Sequence, residues 1–493
     1  MRRAGRWTLI ATCLVAVLIT SSAQATPGAL DSSFGAGGKV TTAIGPTYDQ
    51  ASALALQPDG KLIAAGISYN GSDRDFALVR YNPNGSLDTS FNGTGKVTTA
   101  IGPGDDWAEA VALQPDGKLV VAGYSWNGSD YDLALVRYNP NGSLDTSFNG
   151  TGKVTTAIGP ASDGADALAL QPDGKLVAAG FSWNGSDWDF TLVRYHPDGS
   201  LDTSLNGTGK VTTPIGLSSV ADALTLQSDG KLVLAGYSSI GPNVFALARY
   251  NPDGSLDTSF NGTGKVTTAI GGDDDVANAL ALQPDGKLVA AGYTKGGTQY
   301  SFALARYKPD GSLDTSFNET GKVTTRIGLS NQAYALALQP DGKLVAAGSS
   351  YNSSNDDFAL ARYKPDGSPD TNFNGTGKVT TPIGPGGDDA KALVLQPDGK
   401  LVAAGYSWNG SNYDFALARY LGKDVCVVPR VKGKILVAAR RAIVKAHCSV
   451  GKVTRAFSSK VKKGRVISQK PQAGKRLGAG SKVKLMVSKG KKA

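Results

Sequence analysis

One phrase of seven residues, Leu-Gln-Pro-Asp-Gly-Lys-Leu, returns along the whole chain and constrains the fold more than any other feature. Successive copies are 56 or 57 residues apart, and only the fourth differs, with Ser228 in place of proline. Self-similarity at a fixed period indicates a repeat architecture, in which one unit stacks on its neighbours. The glutamines that mark the seven units are Gln57, Gln114, Gln171, Gln227, Gln283, Gln339 and Gln396.

Each unit has the pattern of four short strands. In the second unit the segments 96–101, 110–113, 118–123 and 132–138 are β-branched or alternating and lack a helical period. The second and third segments are joined by Gln114-Pro115-Asp116-Gly117, in which proline presets φ and glycine accepts a positive φ, as a tight hairpin requires. The pattern predicts a four-stranded meander.

Both faces of these strands are apolar, so each sheet must be covered on both sides by its neighbours. Seven such sheets in a ring form a seven-bladed β-propeller, and we predict this all-β fold for residues 26–422. An open β-solenoid is the alternative, disfavoured because a 56-residue unit is long for one coil. The last unit lacks the linker that follows the others, and the segment from Thr26 to Phe34 resembles it. We therefore expect the N-terminal segment to close the ring.

The units resemble the Delta-60 repeat family of secreted bacterial proteins. The resemblance rests on the Leu-Gln-Pro-Asp-Gly-Lys phrase and on phrases such as Asp-Phe-Ala-Leu-Ala-Arg-Tyr at 414–420, and it covers about residues 30–420. It implies an architecture and no reaction.

Residues 1–25 predict a secretory signal peptide. Three arginines precede an apolar run from Leu9 to Ile19, and Ala23 and Ala25 fit the small-residue rule for cleavage. The run is short for a membrane span. We expect a secreted, extracellular or cell-wall-associated protein with no membrane span after signal cleavage.

Composition argues against the common catalytic devices. Two histidines and three cysteines among 493 residues leave little for a histidine metal centre, a Ser-His-Asp triad or an iron–sulfur cluster. The arginine of each Arg-Tyr pair and the aspartate of each Leu-Asp-Thr-Ser-Phe phrase recur in every unit, which favours a structural ion pair over an active site. We predict no catalytic residue, no metal and no cofactor.

Loops on one face of the disc differ from unit to unit, whereas the hairpins on the other face hardly change. A diversified face is where recognition usually lies. Flat aromatic side chains beside Asn and Asp can stack on sugar rings, so this face is predicted to bind a glycan or a protein. The alternative is that the aromatics only pack over their own Asn-Gly turns. The candidate ligand-binding residues are Tyr69, Trp126, Trp183, Trp188, Tyr351, Trp408 and Tyr413.

The same face carries acidic clusters, such as Asp105-Asp106 and Asp388-Asp389. Paired carboxylates can bind Ca²⁺ or serve as the acid and base of a glycoside hydrolase. We interpret them instead as solvated loop carboxylates. No unit has a unique carboxylate within a strand that would mark one blade as catalytic.

Residues 423–493 form a second, strongly basic region. Residues 421–493 hold 21 basic side chains and one acidic side chain, whereas residues 26–420 hold 27 basic and 40 acidic ones. The basic region looks like a PASTA domain, through Val-Pro-x-x-x-Gly at 428–433, Val-Ile-Ser-Gln-x-Pro-x-x-Gly at 466–474 and Val-Ser-x-Gly at 487–490. A helical apolar face over Ile435–Ala446 and alternation over Lys482–Val487 predict one helix against a small sheet.

The resemblance to PASTA domains implies binding to peptidoglycan. The positive charge adds attraction to anionic cell-wall polymers, which salt would weaken. Nucleic acid is not an expected partner, because the chain is predicted to be exported.

Two cysteines, Cys426 and Cys448, stay in the chain after signal cleavage. A disulfide between them would close a loop of 23 residues and stabilise the small domain by roughly 3 kcal/mol. The sequence as a whole predicts an exported, non-enzymatic envelope protein, with a wall-tethered propeller glycoside hydrolase or lyase as the alternative.

Overall fold

The computed structural model describes residues 26–422, 425–446, 448–478 and 481–492. The predicted signal peptide lies outside the described residues, as does the Cys426 side chain, so the signal peptide and the disulfide both stay predictions.

Residues 39–420 form 28 strands, which are grouped here by sheet. Strand β1 spans Lys39–Thr42. The first sheet contains β2 (Asp49–Leu56), β3 (Leu62–Tyr69), β4 (Arg74–Tyr81) and β5 (Lys96–Thr99); the second, β6 (Asp106–Leu113), β7 (Leu119–Trp126), β8 (Tyr131–Tyr138) and β9 (Lys153–Thr156); the third, β10 (Asp163–Leu170), β11 (Leu176–Trp183), β12 (Trp188–Tyr195) and β13 (Lys210–Thr213). The fourth contains β14 (Ser218–Leu226), β15 (Leu232–Ser239), β16 (Asn243–Tyr250) and β17 (Lys265–Thr268); the fifth, β18 (Asp274–Leu282), β19 (Leu288–Gly296), β20 (Gln299–Tyr307) and β21 (Lys322–Thr325). The sixth contains β22 (Ser330–Leu338), β23 (Leu344–Tyr351), β24 (Asp356–Tyr363) and β25 (Lys378–Thr381), and the seventh contains β26 (Asp388–Leu395), β27 (Leu401–Trp408) and β28 (Tyr413–Tyr420).

Every sheet is an antiparallel meander of four strands, as predicted, but the grouping of strands was wrong for the first segment of the unit. Lys96–Thr99 pairs with β4 and so completes the first sheet, and the second sheet takes its fourth strand from Lys153–Thr156. In the second sheet the hairpin after β6 is closed by the amide of Gln114, which donates to the carbonyl of Lys118 at 2.8 Å. Gly117 has a φ of +85°, a conformation that favours glycine. The repeated Pro-Asp-Gly phrase therefore sets the register of each hairpin.

The sheets pack face to face in a closed ring, which confirms the predicted seven-bladed β-propeller. The strand that opens each blade contacts the equivalent strands of both neighbours, and β26 contacts β2, so the last blade meets the first. Side chains from two blades share each core: Phe76 and Leu78 of the first blade are fully buried with Leu119 and Val121 of the second. Because each blade covers the next, the open solenoid is excluded.

The N-terminal segment completes the seventh blade. Strand β1 pairs antiparallel with β28, with Lys39 opposite Ala418 and Thr42 opposite Phe415. Just before it, the amide of Asp31 donates to the carbonyl of Arg419 at 2.8 Å. The predicted closure by the N-terminal segment is thus confirmed, and it joins residues almost 400 positions apart.

A repeated ion pair joins each blade to its linker, as predicted. Arg80 Nε lies 2.7 Å from Asp88 Oδ2, and Lys61 Nζ lies 3.0 Å from the same oxygen. The guanidinium also donates to the carbonyl of Pro140 in the next unit at 2.5 Å and stacks 4.6 Å from the ring centre of Phe91. The other pairs are Arg137–Asp145, Arg194–Asp202, Arg249–Asp257, Arg306–Asp314, Arg362–Asp370 and Arg419–Asp31.

The carboxylates of these pairs are strongly stabilised as anions. Burial alone would raise the pKa of Asp88, but hydrogen bonds from Ser90 and Lys61 and the charge of Arg80 outweigh it and hold the pKa well below its usual range. Because both charges are buried, removing one partner would leave the other without compensation.

The C-terminal region is a small α+β domain. It contains β29 (Val425–Val427), α1 (Leu436–Lys445), β30 (Ser449–Ala456), β31 (Val466–Lys470), β32 (Arg476–Gly478) and β33 (Lys482–Ser488). Strand β33 lies between β30, parallel to it, and β31, antiparallel to it.

Helix α1 presents Ala439 and Ile443 to the core of this domain, as its apolar face predicts. The prediction was wrong for Ile435, which is the N-cap residue of α1 and is 51% exposed. Among the residues that the structure describes, no helix is long and apolar enough to cross a membrane.

The closing ion pair gives a direct test of the fold. We expect Asp31→Ala to lower the free energy of unfolding by about 3 kcal/mol, because Arg419 and Lys400 both lose their buried partner. Chemical denaturation measures the change. Ser32→Ala, at the exposed neighbouring position, is the control and should change stability by less than about 0.5 kcal/mol. Equal stability of the two variants would contradict the assigned role of Asp31.

Candidate functional site

The first strand of every blade faces the central channel and carries one side chain at a β-bulge. In the second blade Ala108 pairs with Gly123 and Ala110 pairs with Ala122, so Glu109 between them is left unpaired. The same bulge occurs in all blades. It places seven side chains at one level of the channel, which we name the channel ring: Ser52, Glu109, Asp166, Asp222, Asn278, Tyr334 and Lys391.

A glycine in the neighbouring strand makes this bulge possible. A Cβ added to Gly123 would lie 1.8 Å from the backbone oxygen of Trp107, so no other residue fits beside the bulged strand. The glycine of each Ala-Gly phrase has the same role in the other blades, for example Gly66 and Gly405. The repeated framework therefore fixes where the ring side chains lie, while their identity is free to vary.

Three adjacent blades bring carboxylates to the ring. Burial raises the pKa of Glu109 to about 7, although the nearby Ser52 hydroxyl and the charge of Lys391 oppose the shift. Burial and the negative charge of Glu109 raise the pKa of Asp222 to about 8. The pKa of Asp166 is raised well above its usual range by burial and by the charges of Asp222 and Glu109. This side of the channel is the acidic half.

The opposite side holds the ring's one lysine. Lys391 Nζ lies 3.4 Å from the ring centre of Tyr334 in the neighbouring blade and 3.8 Å from Asp389 Oδ2. Burial lowers the pKa of this ammonium group, while the charges of Asp389 and Glu109 oppose the shift. Asn278 lies between the two sides of the ring, and its side-chain amide donates to the backbone carbonyl of Ala333 at 2.7 Å.

An aromatic layer connects the ring to the variable face. Tyr124 lies edge-on to Phe181 of the next blade at 5.8 Å and to Tyr131 of its own blade at 5.3 Å. Burial first, and then the charges of Glu109 and Asp166, raise the pKa of Tyr124, which puts its hydroxyl beside the acidic half. The equivalent tyrosines in the other blades are Tyr237, Tyr293 and Tyr406.

The seven predicted aromatic residues lie at the outer hairpins of this face, and five of them form edge-on pairs rather than one platform. Trp126 packs edge-on against Tyr131 at 5.2 Å, and the same geometry repeats in the pairs Trp183–Trp188 and Trp408–Tyr413, both at 5.1 Å. Tyr351 is 37% exposed, and Tyr69 donates from its hydroxyl to the carbonyl of Gly71. The repeated pairing supports packing within each blade, and contact with a ligand stays a prediction.

The acidic clusters are mostly not the solvated carboxylates we expected. Asp106 is fully buried, and one carboxylate oxygen accepts a hydrogen bond from the amide of Ile101 at 2.6 Å. Asp388 binds the amide of Ile383 in the same way. Asp105 pairs with Arg74 at 2.8 Å. Asp106 and Asp388 thus hold the loops before their strands in place, whereas Asp105 binds Arg74 of the preceding blade.

Sequence reasoning missed the channel ring. No single blade is marked by a strand carboxylate, as expected, but three blades are: Glu109, Asp166 and Asp222 occupy the same bulged position, where the other four blades have no carboxylate. The signal lay five residues before each marking glutamine, within an Ala-x-Ala phrase whose middle residue differs in nearly every unit. Alternation alone placed that residue within an ordinary strand, because a bulge leaves no mark in the apolar pattern.

The C-terminal domain has a separate candidate site, a cleft of about 470 Å³. Phe457 is 54% exposed there, and Lys489 Nζ lies 5.3 Å from the centre of its ring. Arg455 and Lys463 add positive charge to the cleft. An exposed aromatic ring among cations suits a ligand that is anionic and partly apolar. In the described part of the chain, no three His, Cys, Asp or Glu side chains are grouped as metal ligands.

The raised pKa of Asp222 predicts how stability depends on pH. The folded chain binds this proton more tightly than the unfolded chain, so stability falls as pH rises from about 4, the unfolded value, to about 8. Asp166, Glu109 and Tyr237 face the same carboxylate. Asp222→Asn should therefore raise the melting temperature at pH 8 by about 2 °C or more, and by much less at pH 5.

Thermal unfolding at the two pH values measures this difference. Asp229→Asn, in the exposed hairpin of the same blade, is the matched control and should behave like the wild type at both. A destabilised Asp222→Asn protein at pH 8 would show that this carboxylate is stabilising and would contradict the assignment.

Comparison with known families agrees with the two parts of the chain. Seven segments match the family described as "Domain of unknown function (DUF5122) beta-propeller", at residues 57–91, 114–148, 171–205, 227–260, 283–317, 339–373 and 396–422. Residues 427–489 match the PASTA domain. The predicted resemblances to a repeat propeller and to a PASTA domain are confirmed. No curated protein is significantly similar to the chain.

Several solved structures are similar at low identity. A protein of unknown function from Dyadobacter fermentans is 11% identical, with 78% of this chain and 98% of that chain covered and a TM-score of 0.43. A catalytically inactive virginiamycin B lyase from Staphylococcus aureus with quinupristin is 12% identical, with coverage of 77% and 98% and a TM-score of 0.43. The polysaccharide lyase Uly1 is 14% identical, with coverage of 76% and 90% and a TM-score of 0.37.

Proposed function

We propose that this protein, a seven-repeat DUF5122 β-propeller followed by a PASTA domain, is an exported binding protein of the cell wall. The PASTA domain associates with peptidoglycan, and the propeller presents its variable face and channel to a glycan or a protein. The observation that carries the proposal is the contrast within the propeller. The framework is repeated nearly residue for residue, whereas the channel ring changes from blade to blade.

That contrast favours recognition over a purely structural role. A propeller that only spaces or stiffens would have no need to vary a bulged position that makes no core contact. The channel ring instead combines hydroxyl, carboxylate, amide, phenol and ammonium groups around one opening. A small number of polar groups that converge in a concave site is typical of a ligand-binding site.

Wall association rests on the PASTA domain. Its cleft joins exposed Phe457 to Arg455, Lys463 and Lys489, and no acidic side chain occurs in residues 425–493. Peptidoglycan stem peptides offer carboxylates and apolar side chains together, which fits this lining. Charge alone would also attract other anionic wall polymers, and salt separates the two contributions because it screens exposed charges strongly.

Co-sedimentation of the mature full chain with insoluble peptidoglycan, at low and high salt, tests the anchoring role. We expect the wild type to sediment at both salt concentrations, and Phe457→Ala to reduce the bound fraction several-fold at high salt. Val444→Ala is the control, since Val444 is an exposed apolar residue of α1 outside the cleft. Complete release of the wild type by salt would reduce the anchoring to nonspecific attraction and overturn a specific wall-binding function.

A wall-tethered glycoside hydrolase or lyase is the second candidate function. It is favoured by Glu109, whose pKa of about 7 suits a general acid near neutral pH. We propose binding without turnover, since the charge of Glu109 acts on buried Lys391 and this carboxylate thus has an electrostatic role within the fold. Release of reducing or unsaturated sugar ends from peptidoglycan by the wild type, abolished by Glu109→Gln, would establish the enzyme instead.

A further inference from the structure

The two sides of the channel ring are unequally supplied with counter-charges. Glu109 has Lys391 as a positive neighbour, but the charged groups that act on Asp166 and Asp222 are all acidic. One carboxylate oxygen of each aspartate, Oδ2, is buried and accepts no hydrogen bond. Buried polar atoms are normally hydrogen-bonded, and the described residues supply no donor to these two oxygens.

The other side of the ring shows how this channel holds an ammonium group. Lys391 Nζ lies over the face of Tyr334 at 3.4 Å, with Asp389 at 3.8 Å and the ring centre of Tyr406 at 5.7 Å. Two aromatic rings and a carboxylate thus surround one ammonium group, in the arrangement of a cation–π site.

The acidic half repeats these components without an ammonium group of its own. Tyr124 and Tyr237 lie close enough to Asp166 for its charge to act on both phenols. Both tyrosines are half-buried, as are Asp166 and Asp222. The acidic half therefore has the rings and the carboxylates of the Lys391 side, but it has no ammonium group.

We propose that the acidic half of the channel binds the ammonium group of a ligand, held by Asp166 and Asp222 and covered by the rings of Tyr124 and Tyr237. This inference rests on the proposed binding function of the propeller and names the chemistry of its ligand. An ammonium group has three N–H donors, which suits carboxylates that come from separate blades. A metal ion suits them less, because no compact group of three ligands occurs among the described residues.

Titration calorimetry on the mature full chain tests the proposal with two probes. Cadaverine carries ammonium groups on an alkyl chain, and glucosamine carries one on a sugar ring, so the arms separate a peptide-like source from an amino-sugar source. The neutral counterparts are 1,5-pentanediol and N-acetylglucosamine. We expect at least one amine to bind with one equivalent per chain and neither neutral compound to bind. Binding of neither amine, or equal binding of a neutral counterpart, would overturn the proposal.

Isosteric variants locate the site. Asp166→Asn and Asp222→Asn should each weaken amine binding at least tenfold, since each removes a charge-assisted hydrogen bond. Asp229→Asn, in the same blade as Asp222 but on the hairpin side, should bind like the wild type. Thermal unfolding confirms that each variant is folded. Undiminished binding by both ring variants would place the amine elsewhere and refute the assignment.

A gain of binding provides an independent check. Lys391→Ala removes the resident ammonium group and leaves Tyr334 and Asp389 in place, so we expect the stoichiometry to rise from one amine per chain to two. An unchanged stoichiometry would contradict the analogy between the two sides of the ring. Asp222→Asn should still sediment with peptidoglycan, because the PASTA domain is unaltered. Failure of amine binding is thereby distinguishable from failure of wall association.

Discussion

The structure depends on the pairing of β1 with β28. Each blade has two apolar faces, and each face is buried only by the next blade, so an open array of seven would leave both end faces exposed to water. The N-terminal segment removes this problem by supplying the outer strand and the linker aspartate of the last blade. The Asp31–Arg419 pair is chemically the same as the six others, yet it alone joins the two ends of the propeller. Closure therefore makes the ring one cooperative body instead of a series of separable repeats.

Repetition of the framework is what permits variation at the channel. The hairpin, the linker ion pair and the glycine beside the bulge each recur in every blade, and together they fix the backbone around the channel ring. A bulged side chain makes no ladder hydrogen bond and belongs to no inter-blade core, so its substitution changes little in the fold. Seven positions can then differ in charge and shape while the scaffold stays the same, much as loops vary on a rigid sheet in other binding proteins.

The sequence predicts the propeller well because its evidence is local and repeated. Pro-Asp-Gly turns, alternating strands and the displaced linker at Thr26 each carry a direct physical consequence, and the closure follows from counting linkers. The channel ring was harder to predict, because its evidence is neither local nor repeated. Glu109 and Lys391 are 282 residues apart, and their neighbourhood depends on a bulge that an apolar pattern does not reveal. The aromatics at the hairpins are conspicuous in the sequence, yet Trp126 and Trp408 pack against rings of their own blades.

The acidic half of the channel is unfavourable for folding, and this is the strongest physical reason to regard it as functional. Burial raises the pKa of both Glu109 and Asp222, which means that ionising them in the folded chain costs free energy. The same position is occupied by neutral Ser52 and Asn278 in other blades, so the scaffold does not require a carboxylate there. Large inter-blade cores offset the cost. Groups that bind a ligand stay without partners until the ligand is bound, and this lowers the stability of the folded chain. Neutral residues at these positions would avoid the loss, so we attribute the carboxylates to ligand binding.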